Sequence, residues 1–412
     1  MKKSKILVSS YACSPDRGSE PGMGWNWCIH LAKHCELYII TEEEFREKIE
    51  AALPDLPQGE NMHFYYNPIS ERAREMSKNQ GDWRFYIYYK RWHKKTLEIA
   101  KQVIAEHKID ILHQLNMIGF REPGYLWKIK DIPFIWGPVD AKESFPINYL
   151  GETELKTKLL IRLKNLITRF QLQYSRRVNK AARSAFVVLS ASSNSQRSFR
   201  KYFNIDSPVL NETGCKVIET DSKNKLPEKK LNVLWVGKMD YRKQLGLALQ
   251  SIAMINNSDI VIHIVGGGDD ASYKKLANSL NIANQCIWHG IVDHKTVQSL
   301  MRESDLLLFT SVAEGTPHVV LEAISNNLPV VCFDTCGQGD SVNEKVGVKI
   351  PLTNPKQSVK DFSNALNSLF HNRQILNEMS LNCKQLQKEL SWENKALAMV
   401  NYYEKALSSK KS

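Results

Sequence analysis

The sequence lacks any apolar run long enough to span a bilayer, and it lacks low-complexity segments. A membrane-spanning or disordered chain is therefore not expected, and the 42% of hydrophobic residues is typical of a soluble globular protein. The first thirteen residues are basic, then apolar, and end in Cys13, as a lipoprotein signal would. Their apolar part, residues 6–8, is too short for a signal. We therefore expect a first β-strand there and a cytoplasmic location.

Paired cysteine spacing is also absent. The eight cysteines form no CxxC pair and are too sparse for a disulfide scaffold, so reduced thiols are expected. Cys332 and Cys336 come nearest to half a metal site, but no His-rich segment accompanies them. No acidic or His-rich metal-binding motif is evident elsewhere, and we expect neither a metal nor another cofactor.

Acidic residues are missing from residues 155–205, which contain twelve Lys and Arg. The rest of the chain balances, so this segment accounts for the net charge of +12. Apolar residues recur within it at helical spacing and predict an amphipathic basic helix over residues 155–183: Leu155, Leu159, Leu163, Leu166 and Phe170. Such a helix could bind an anionic membrane surface or an anionic acceptor. Alternatively, its apolar stripe packs on its own domain and its charges are solvated. Nucleic-acid binding is not expected, since no known binding module accompanies the charge.

Strands and helices alternate along both halves of the chain. Its 412 residues exceed the size of one core, so two domains are expected. Strands are predicted at 5–10, 36–41, 109–115, 133–139 and 185–190, and again at 231–237, 260–267, 286–290, 305–311 and 328–334. A polar connection over residues 207–230 separates the two series. This pattern predicts an α/β protein with parallel sheets. The predicted domains are residues 1–212 and 213–390, with a C-terminal helix, residues 391–412, that packs back on the first domain.

The motif 314-EGTPHVVLE-322 directly follows the predicted strand 305-DLLLFTS-311. Thr316 is predicted to cap a helix and Pro317 to be its first residue, which leaves the backbone N–H groups of His318 and Val319 available. A helix N-terminus at the carboxyl edge of a sheet favours phosphate. Glu314 and Glu322 flank it, and their carboxylates suit sugar and ribose hydroxyls, which indicates a nucleotide-sugar. The alternative is an ordinary capped helix with a solvent-facing glutamate.

Glycine-bearing loops follow the first strand of each half, as expected where backbone approaches a phosphate or sugar. In the first half the candidates are Gly18, Gly22 and Gly24. In the second half, 237-GKMDYRK-243 places Gly237, Lys238 and Lys243 at the strand end, where two cations could neutralise a diphosphate. A rival motif, 266-GGGDDA-271, resembles a dinucleotide fingerprint, but the next strand, 286-CIWHG-290, lacks the required terminal acid. Nicotinamide binding is therefore not expected.

Three spaced motifs together resemble the retaining glycosyltransferases of family 4: 236-VGKMDYRKQLGLAL-249, 265-VGGG-268 and 314-EGTPHVVLEAISNNLPVV-331. The segments 18-GSEPGMGW-25 and 137-GP-138 add fainter support. The resemblance implies the GT-B fold, in which two Rossmann-like domains face each other across a cleft.

The resemblance also implies roles for individual residues. Glu314 would contact the donor sugar and Glu322 the ribose, while Lys238 and Lys243 would hold the diphosphate. Backbone after Thr316 would contact sugar and phosphate, and a loop at Gly22 to Gly24 would close over the phosphates.

The sequence departs from the family pattern in two respects. Pro317 replaces a common glycine, so His318 and Val319 must supply the N–H contacts. Val139 and Asp140 stand where many members have a histidine near the reacting sugar. Asp140 and Glu143 are therefore the candidates on the acceptor side.

The expected function is that of a metal-independent, retaining, hexosyl-type glycosyltransferase in cell-surface polysaccharide synthesis. It would transfer a sugar from a UDP- or GDP-sugar to a glycan or lipid-linked acceptor, in the cytoplasm or peripherally on the inner face of the membrane. A nucleotide-sugar epimerase or hydrolase remains an alternative, as does a non-catalytic nucleotide-sugar-binding protein.

Overall fold

The computed structural model describes residues 3–78, 83–141, 144–151, 153–218, 229–315 and 317–409. The chain forms two compact units. The first comprises Met1–Glu143, Thr168–Thr213 and Trp392–Ser412, and the second comprises Ser144–Ile167 and Gly214–Ser391.

The strands of the described residues follow in chain order: β1 (Lys5–Ser10), β2 (Glu36–Thr41), β3 (Met62–Tyr66), β4 (Ile111–Asn116), β5 (Phe134–Val139), β6 (Val187–Ser190), β7 (Leu231–Val236), β8 (Ile260–Val265), β9 (Cys286–Gly290), β10 (Leu306–Phe309), β11 (Val330–Phe333) and β12 (Gly347–Ile350).

The α-helices are, again in chain order, α1 (Ser19–Leu31), α2 (Arg46–Ala52), α3 (Glu71–Lys78), α4 (Phe85–Glu106), α5 (Leu155–Tyr174), α6 (Arg176–Ser184), α7 (Ser193–Phe203), α8 (Leu245–Ile255), α9 (Asp270–Ser279), α10 (His294–Glu303), α11 (His318–Ser325), α12 (Cys336–Ser341), α13 (Pro355–His371), α14 (Arg373–Glu389) and α15 (Trp392–Ser409). Among the described helices, none is both long and apolar enough to cross a membrane.

The sheet of the first unit is parallel, with strand order β3-β2-β1-β4-β5-β6. Its central strands are apolar on both faces because helices cover both sides, and Ile6, Leu7 and Val8 are fully buried. The strand order reverses between β1 and β4. In open α/β sheets this switch point, at the carboxyl ends of the strands, is where ligands bind.

The second unit repeats this connectivity. Its parallel sheet has the order β12-β11-β10-β7-β8-β9, so the strand order reverses between β7 and β10. Leu234 on β7 and Leu307 on β10 are register partners, and both are fully buried. The segments that leave β7 and β10 therefore start at the same sheet edge, and they are the segments that carry Lys243 and Glu314.

Residues 144–167 belong to the second unit, whereas the sequence placed them in the first domain. Tyr149 explains the difference, because its hydroxyl lies 2.7 Å from Ser358 Oγ and its ring packs edge-on against Phe333. Gln244 Nε2 also donates to the Tyr149 carbonyl at 2.6 Å. The chain thus enters the second unit, returns to the first along α5, and enters the second again after residue 213.

The C-terminal helix α15 is part of the first unit. Trp392 packs edge-on against Trp27 on α1, with ring centroids 5.8 Å apart. Further along, the Tyr403 hydroxyl donates to His113 Nδ1 and His113 Nε2 donates to the Gly137 carbonyl, each over 2.7 Å. Burial lowers the pKa of His113 to about 4, so the ring is neutral and links α15 to β4 and β5.

Candidate functional site

Hydrogen bonds join the loops that follow β7 and β10. Thr310 Oγ1 lies 2.8 Å from the Lys243 carbonyl and 3.1 Å from the Gln244 carbonyl. Val312 N–H donates to the Arg242 carbonyl at 3.0 Å. Because each loop is anchored to the other, the side chains that they carry are held at one place on the sheet edge.

Lys243 and Glu314 form an ion pair at this edge. Lys243 Nζ lies 2.6 Å from Glu314 Oε1, and each side chain is 15% exposed. Ser311 Oγ donates to the same carboxylate oxygen at 2.5 Å. The sequence predicted that Lys243 and Glu314 would share a site. It did not predict that they form an ion pair, or that Ser311 donates a hydrogen bond to Glu314. The available signal was that two polar residues, Thr310 and Ser311, directly follow the apolar run 306-LLLF-309.

Gly237 is the first residue after β7 and lies against the Lys243 side chain. A Cβ at Gly237 would lie 3.3 Å from Lys243 Cδ, closer than most such contacts. Gly266 follows β8 with a φ of +135°, and a Cβ there would meet the Gly237 carbonyl oxygen at 1.8 Å. The glycine turn after β8 therefore allows the two loops to approach each other. Lys238, next to Gly237, is exposed.

The helix predicted after Glu314 is α11, which begins one residue later than expected. Pro317 is its N-cap, with φ −86° and ψ 61°, and His318 is the first helical residue. Leu321 N–H donates to the Pro317 carbonyl at 3.1 Å, so His318, Val319 and Val320 precede the first intrahelical hydrogen bond. The arrangement retains the anion-favouring helix terminus. Thr316 lies outside the described residues.

Two titratable groups of α11 lie at or near this end. Burial lowers the pKa of His318, Glu314 raises it and Lys243 lowers it. Burial raises the pKa of Glu322, while His294, whose Nε2 is 3.5 Å from Glu322 Oε1, lowers it. The Glu322 side chain is 36% exposed, so its carboxylate is accessible to a ligand.

Gly22 and Gly24 do not form the predicted loop, because both lie within α1. The helix starts at Ser19 and includes Pro21, which the first turn of a helix tolerates. Gly24 is buried, and a Cβ there would lie 2.2 Å from the Ala12 carbonyl oxygen and 2.8 Å from Asn116 Nδ2. Its glycine is needed for packing α1 against the end of the sheet, and this corrects the prediction of a phosphate-covering loop.

Asp140 directly follows β5, at the carboxyl edge of the first sheet. Its Oδ1 accepts a hydrogen bond from Ser195 Oγ at 2.9 Å, and its N–H donates to the Ile118 carbonyl at 2.7 Å. The other acceptor-side candidate, Glu143, lies outside the described residues.

Two further carboxyl groups of the first unit interact electrostatically with Asp140, and the sequence did not single them out. Glu20 Oε1 accepts a hydrogen bond from Ile118 N–H at 3.3 Å, and burial raises the pKa of Glu20 to about 7. Burial also raises the pKa of Glu212 well above its usual range, and Glu20 and Asp140 add to that shift. Glu20 and Glu212 are far apart in sequence, so no local pattern could have connected them.

No group of three or more His, Cys, Asp or Glu side chains suited to a metal ion occurs in the described part of the chain.

Residues 217–386 match the family model described as "Glycosyl transferases group 1". This range contains every candidate residue of the second unit.

Solved structures resemble nearly the whole chain. The apo form of the lipopolysaccharide outer core galactosyltransferase WaaB matches with a TM-score of 0.62 and 16% identity, over 98% of this chain and 99% of that one. The fold is GT-B. Anabaena HepE in complex with UDP-glucose matches with a TM-score of 0.56 and 15% identity, over 98% and 99% of the respective chains. At these identities the likeness concerns the fold alone.

One sequence relative is an uncharacterized glycosyltransferase of Methanocaldococcus jannaschii. It is 26% identical over 180 residues, which are 42% of this chain and 45% of that protein. The chain therefore matches less than half of this relative's length.

Proposed function

We propose that the protein is a retaining glycosyltransferase that transfers a sugar from a nucleoside diphosphate sugar to a glycan or lipid-linked acceptor. The observation that carries the proposal is the Lys243–Glu314 pair beside the N-terminus of α11. A cation, a carboxylate and a helix terminus at the switch point of one sheet provide the groups that a nucleotide-sugar requires.

The donor would bind by its diphosphate to Lys243, Lys238 and the first N–H groups of α11. Because Lys243 is engaged by Glu314 in the free protein, the diphosphate would compete for the ammonium group and release the carboxylate. Glu314 could then accept hydrogen bonds from the sugar hydroxyls, which a charged acceptor strengthens. Glu322 would accept those of the ribose.

Departure of the nucleoside diphosphate leaves an electron-poor anomeric carbon and a leaving group with one more negative charge than the diphosphate carried in the donor. Two cations and the dipole of α11 favour charge on the leaving oxygen without a metal ion. The acceptor hydroxyl would attack from the face that the diphosphate leaves, and its proton would pass to the departing phosphate oxygen. This same-face course predicts retention and requires no side-chain base.

Two of the matched structures support this choice of substrate class. HepE was solved with UDP-glucose, and WaaB is described as a galactosyltransferase of the lipopolysaccharide outer core. We propose by analogy a UDP- or GDP-sugar donor, a hexosyl group, a role in cell-surface polysaccharide synthesis, and a cytoplasmic protein peripheral to the inner face of the membrane.

A thermal-shift screen with UDP-, GDP- and dTDP-sugars tests donor binding, because a ligand at about one hundred times its dissociation constant stabilises the folded state by about 2.7 kcal/mol. The same sugars are then incubated with and without glycan acceptors, and products are separated by mass. Transfer that requires an acceptor is expected. Conversion of donor alone would favour an epimerase or hydrolase, and binding without turnover would favour a binding protein.

A matched pair of variants tests whether the nucleotide-sugar binds at this site. Lys243→Gln should reduce the thermal shift, because a loss of affinity of about 10- to 100-fold lowers the stabilisation to about 0.4–1.4 kcal/mol at the same ligand concentration. Lys274→Gln removes an exposed lysine that is paired with Asp270 at 2.7 Å on α9, and it should leave the shift unchanged. Equal shifts in both variants would place the nucleotide elsewhere.

A further inference from the structure

The helix α5 carries its large apolar side chains on the outside of the protein. The five residues of the predicted apolar stripe are all more than half exposed: Leu155 77%, Leu159 63%, Leu163 53%, Leu166 62% and Phe170 64%. Leu160, Ile167 and Tyr174 are also exposed. The alternative in which this stripe packs on its own domain is therefore wrong. A single exposed leucine is ordinary, but a contiguous row of eight apolar side chains marks an interaction surface.

The inward side of α5 is partly polar and is held by specific hydrogen bonds. It consists of Ile161, Asn165, Thr168 and Leu172. The Asn165 amide donates to the Phe145 carbonyl and accepts from the Phe145 N–H, each over 2.9 Å. Arg121 donates to Thr168 Oγ1 at 2.7 Å. Turning the apolar side inward would break these bonds, so the outward orientation of the leucines is fixed by the fold.

The positions of the residues around the helix axis separate three faces. With about 100° per residue, the eight exposed apolar residues occupy an arc of about 140°, and the four inward residues lie opposite its centre. Lys158, Arg162 and Arg169 lie between these two faces on one side, and Lys164 lies on the other. Arg162, Lys164 and Arg169 are exposed, as is Lys156, which lies within the apolar arc near the start of the helix.

We propose that α5 is a membrane-binding surface that lies in the interface of an anionic lipid bilayer. Its apolar row would enter the boundary between head groups and acyl chains, and its flanking cations would contact lipid phosphates. The 20-residue helix presents about 30 Å of such surface. This inference rests on exposure and charge alone and does not depend on the proposed function.

The sign of the charge favours lipid over a second copy of the chain. In a two-fold symmetric dimer each patch faces its own equivalent, so the two basic rows would be brought together. No acidic residue lies between residues 155 and 205 to compensate them. An anionic bilayer instead supplies both the apolar phase and the opposite charge.

Flotation of the full-length protein with vesicles tests the proposal. Phosphatidylcholine vesicles are compared with vesicles that contain one part phosphatidylglycerol to three parts phosphatidylcholine, at low and high salt. Binding to the anionic vesicles should exceed binding to the neutral ones and should weaken with salt, because exposed charges are screened. Equal binding to both, or binding to neither, would overturn the proposal.

Two triple variants and a matched control assign the effect to α5. Lys156→Gln/Arg162→Gln/Lys164→Gln should lower the partition coefficient by roughly a hundredfold, given about one factor of five per basic residue. Leu159→Ser/Leu163→Ser/Leu166→Ser should lower it by at least about tenfold. The control, Arg197→Gln/Arg200→Gln/Lys201→Gln on α7, removes the same charge and should have little effect.

Circular dichroism and size-exclusion chromatography with light scattering accompany each variant. All three should remain folded monomers at the parent's melting temperature, since the replaced α5 side chains are exposed. If the serine variant instead converted a dimer into a monomer, and the parent did not bind anionic vesicles, the surface would be a self-association face. An equal loss of binding in the α7 control would show that vesicle binding depends on the net charge of the protein and not on α5.

Discussion

Lys243 Nζ and Glu314 Oε1 lie 2.6 Å apart, so the cation and the carboxylate expected to serve different parts of one ligand neutralise each other in the free protein. Ser311 holds the carboxylate in that position through the same oxygen. A nucleotide-sugar would have to replace this contact with two new ones, a phosphate on Lys243 and sugar hydroxyls on Glu314. In the free protein each of these two partly buried charges therefore has a counter-charge.

Glu314→Gln should separate binding from turnover. Turnover should fall by about 10²–10³-fold, as when a polar group aimed at the reacting centre is lost. Affinity for UDP or GDP should stay the same or rise, because Lys243 no longer has a competing carboxylate. Lys243→Gln should weaken nucleotide binding by about 10- to 100-fold, the range for a hydrogen bond to a charged group. Titration calorimetry measures the affinities, and initial rates measure turnover.

Asp270→Asn, which removes a carboxylate from the exposed Lys274 pair, is the control for Glu314→Gln and should change neither quantity. Unchanged nucleotide affinity in Lys243→Gln would contradict the assignment of the diphosphate to this edge of the second sheet.

Glu322→Ala should erase discrimination between ribose and deoxyribose. In the parent, UDP should bind more tightly than 2′-deoxy-UDP, because the Glu322 carboxylate accepts from a ribose hydroxyl. Removal of the carboxylate should weaken UDP binding and leave the deoxy analogue unaffected, so the two affinities converge. His294→Ala removes the partner of Glu322 without removing the acceptor and should preserve the discrimination. Persistent discrimination in Glu322→Ala would assign the ribose to another residue.

Turnover should not require a divalent cation, because Lys238, Lys243 and the N-terminus of α11 can balance the charge of a departing diphosphate. Protein treated with EDTA and then freed of it by gel filtration should retain full activity in chelated buffer. Addition of magnesium or manganese should not raise the rate. Loss of activity in chelator with recovery on adding either ion would contradict a metal-free site.

The central strands could be predicted because they are buried on both faces and therefore read as short apolar runs, as in β7 and β10. The edge strands β3 and β12 were not predicted. Their sequences, MHFYY and GVKI, are only partly buried and show no clear pattern of apolar residues. Gly24 was misassigned to a loop because the feature that requires glycine, the Ala12 carbonyl oxygen, is brought close only by the fold. Likewise, the spacing of leucines in α5 predicted an amphipathic helix but could not indicate which face points inward.

Because of Glu20, the free energy of unfolding of the protein should decrease as the pH rises. Burial raises the pKa of Glu20 from its ordinary value near 4.5 to about 7. Between these values the unfolded chain loses the proton while the folded chain keeps it, so the free energy of unfolding falls across this window. Glu20→Gln mimics the protonated form and should be more stable than the parent by about 1–3 kcal/mol at pH 8, with little difference at pH 4.5.

Urea unfolding followed by circular dichroism at both pH values measures this difference. Glu47→Gln, at an exposed position on α2, is the control and should be neutral at each pH. A Glu20→Gln variant less stable than the parent at pH 8 would show that the carboxylate is stabilised in its ionised form and would reverse the sign of the effect.

The first-formed product from an α-linked donor should be an α-glycoside. The diphosphate and the sugar are both assigned to the edge of the second sheet, where Lys243 and Glu314 lie together. Inversion would need a side-chain base on the opposite face of the sugar. By the resemblance to family 4, Val139 stands at the position where many members carry a histidine. In a same-face reaction the leaving phosphate oxygen accepts the proton of the acceptor hydroxyl, so the donor itself supplies the base.

Proton NMR of the product at early times, before anomers can exchange, measures the coupling at the anomeric centre. A β-glycoside would require an opposite-face base, and Asp140 would then become the first residue to replace.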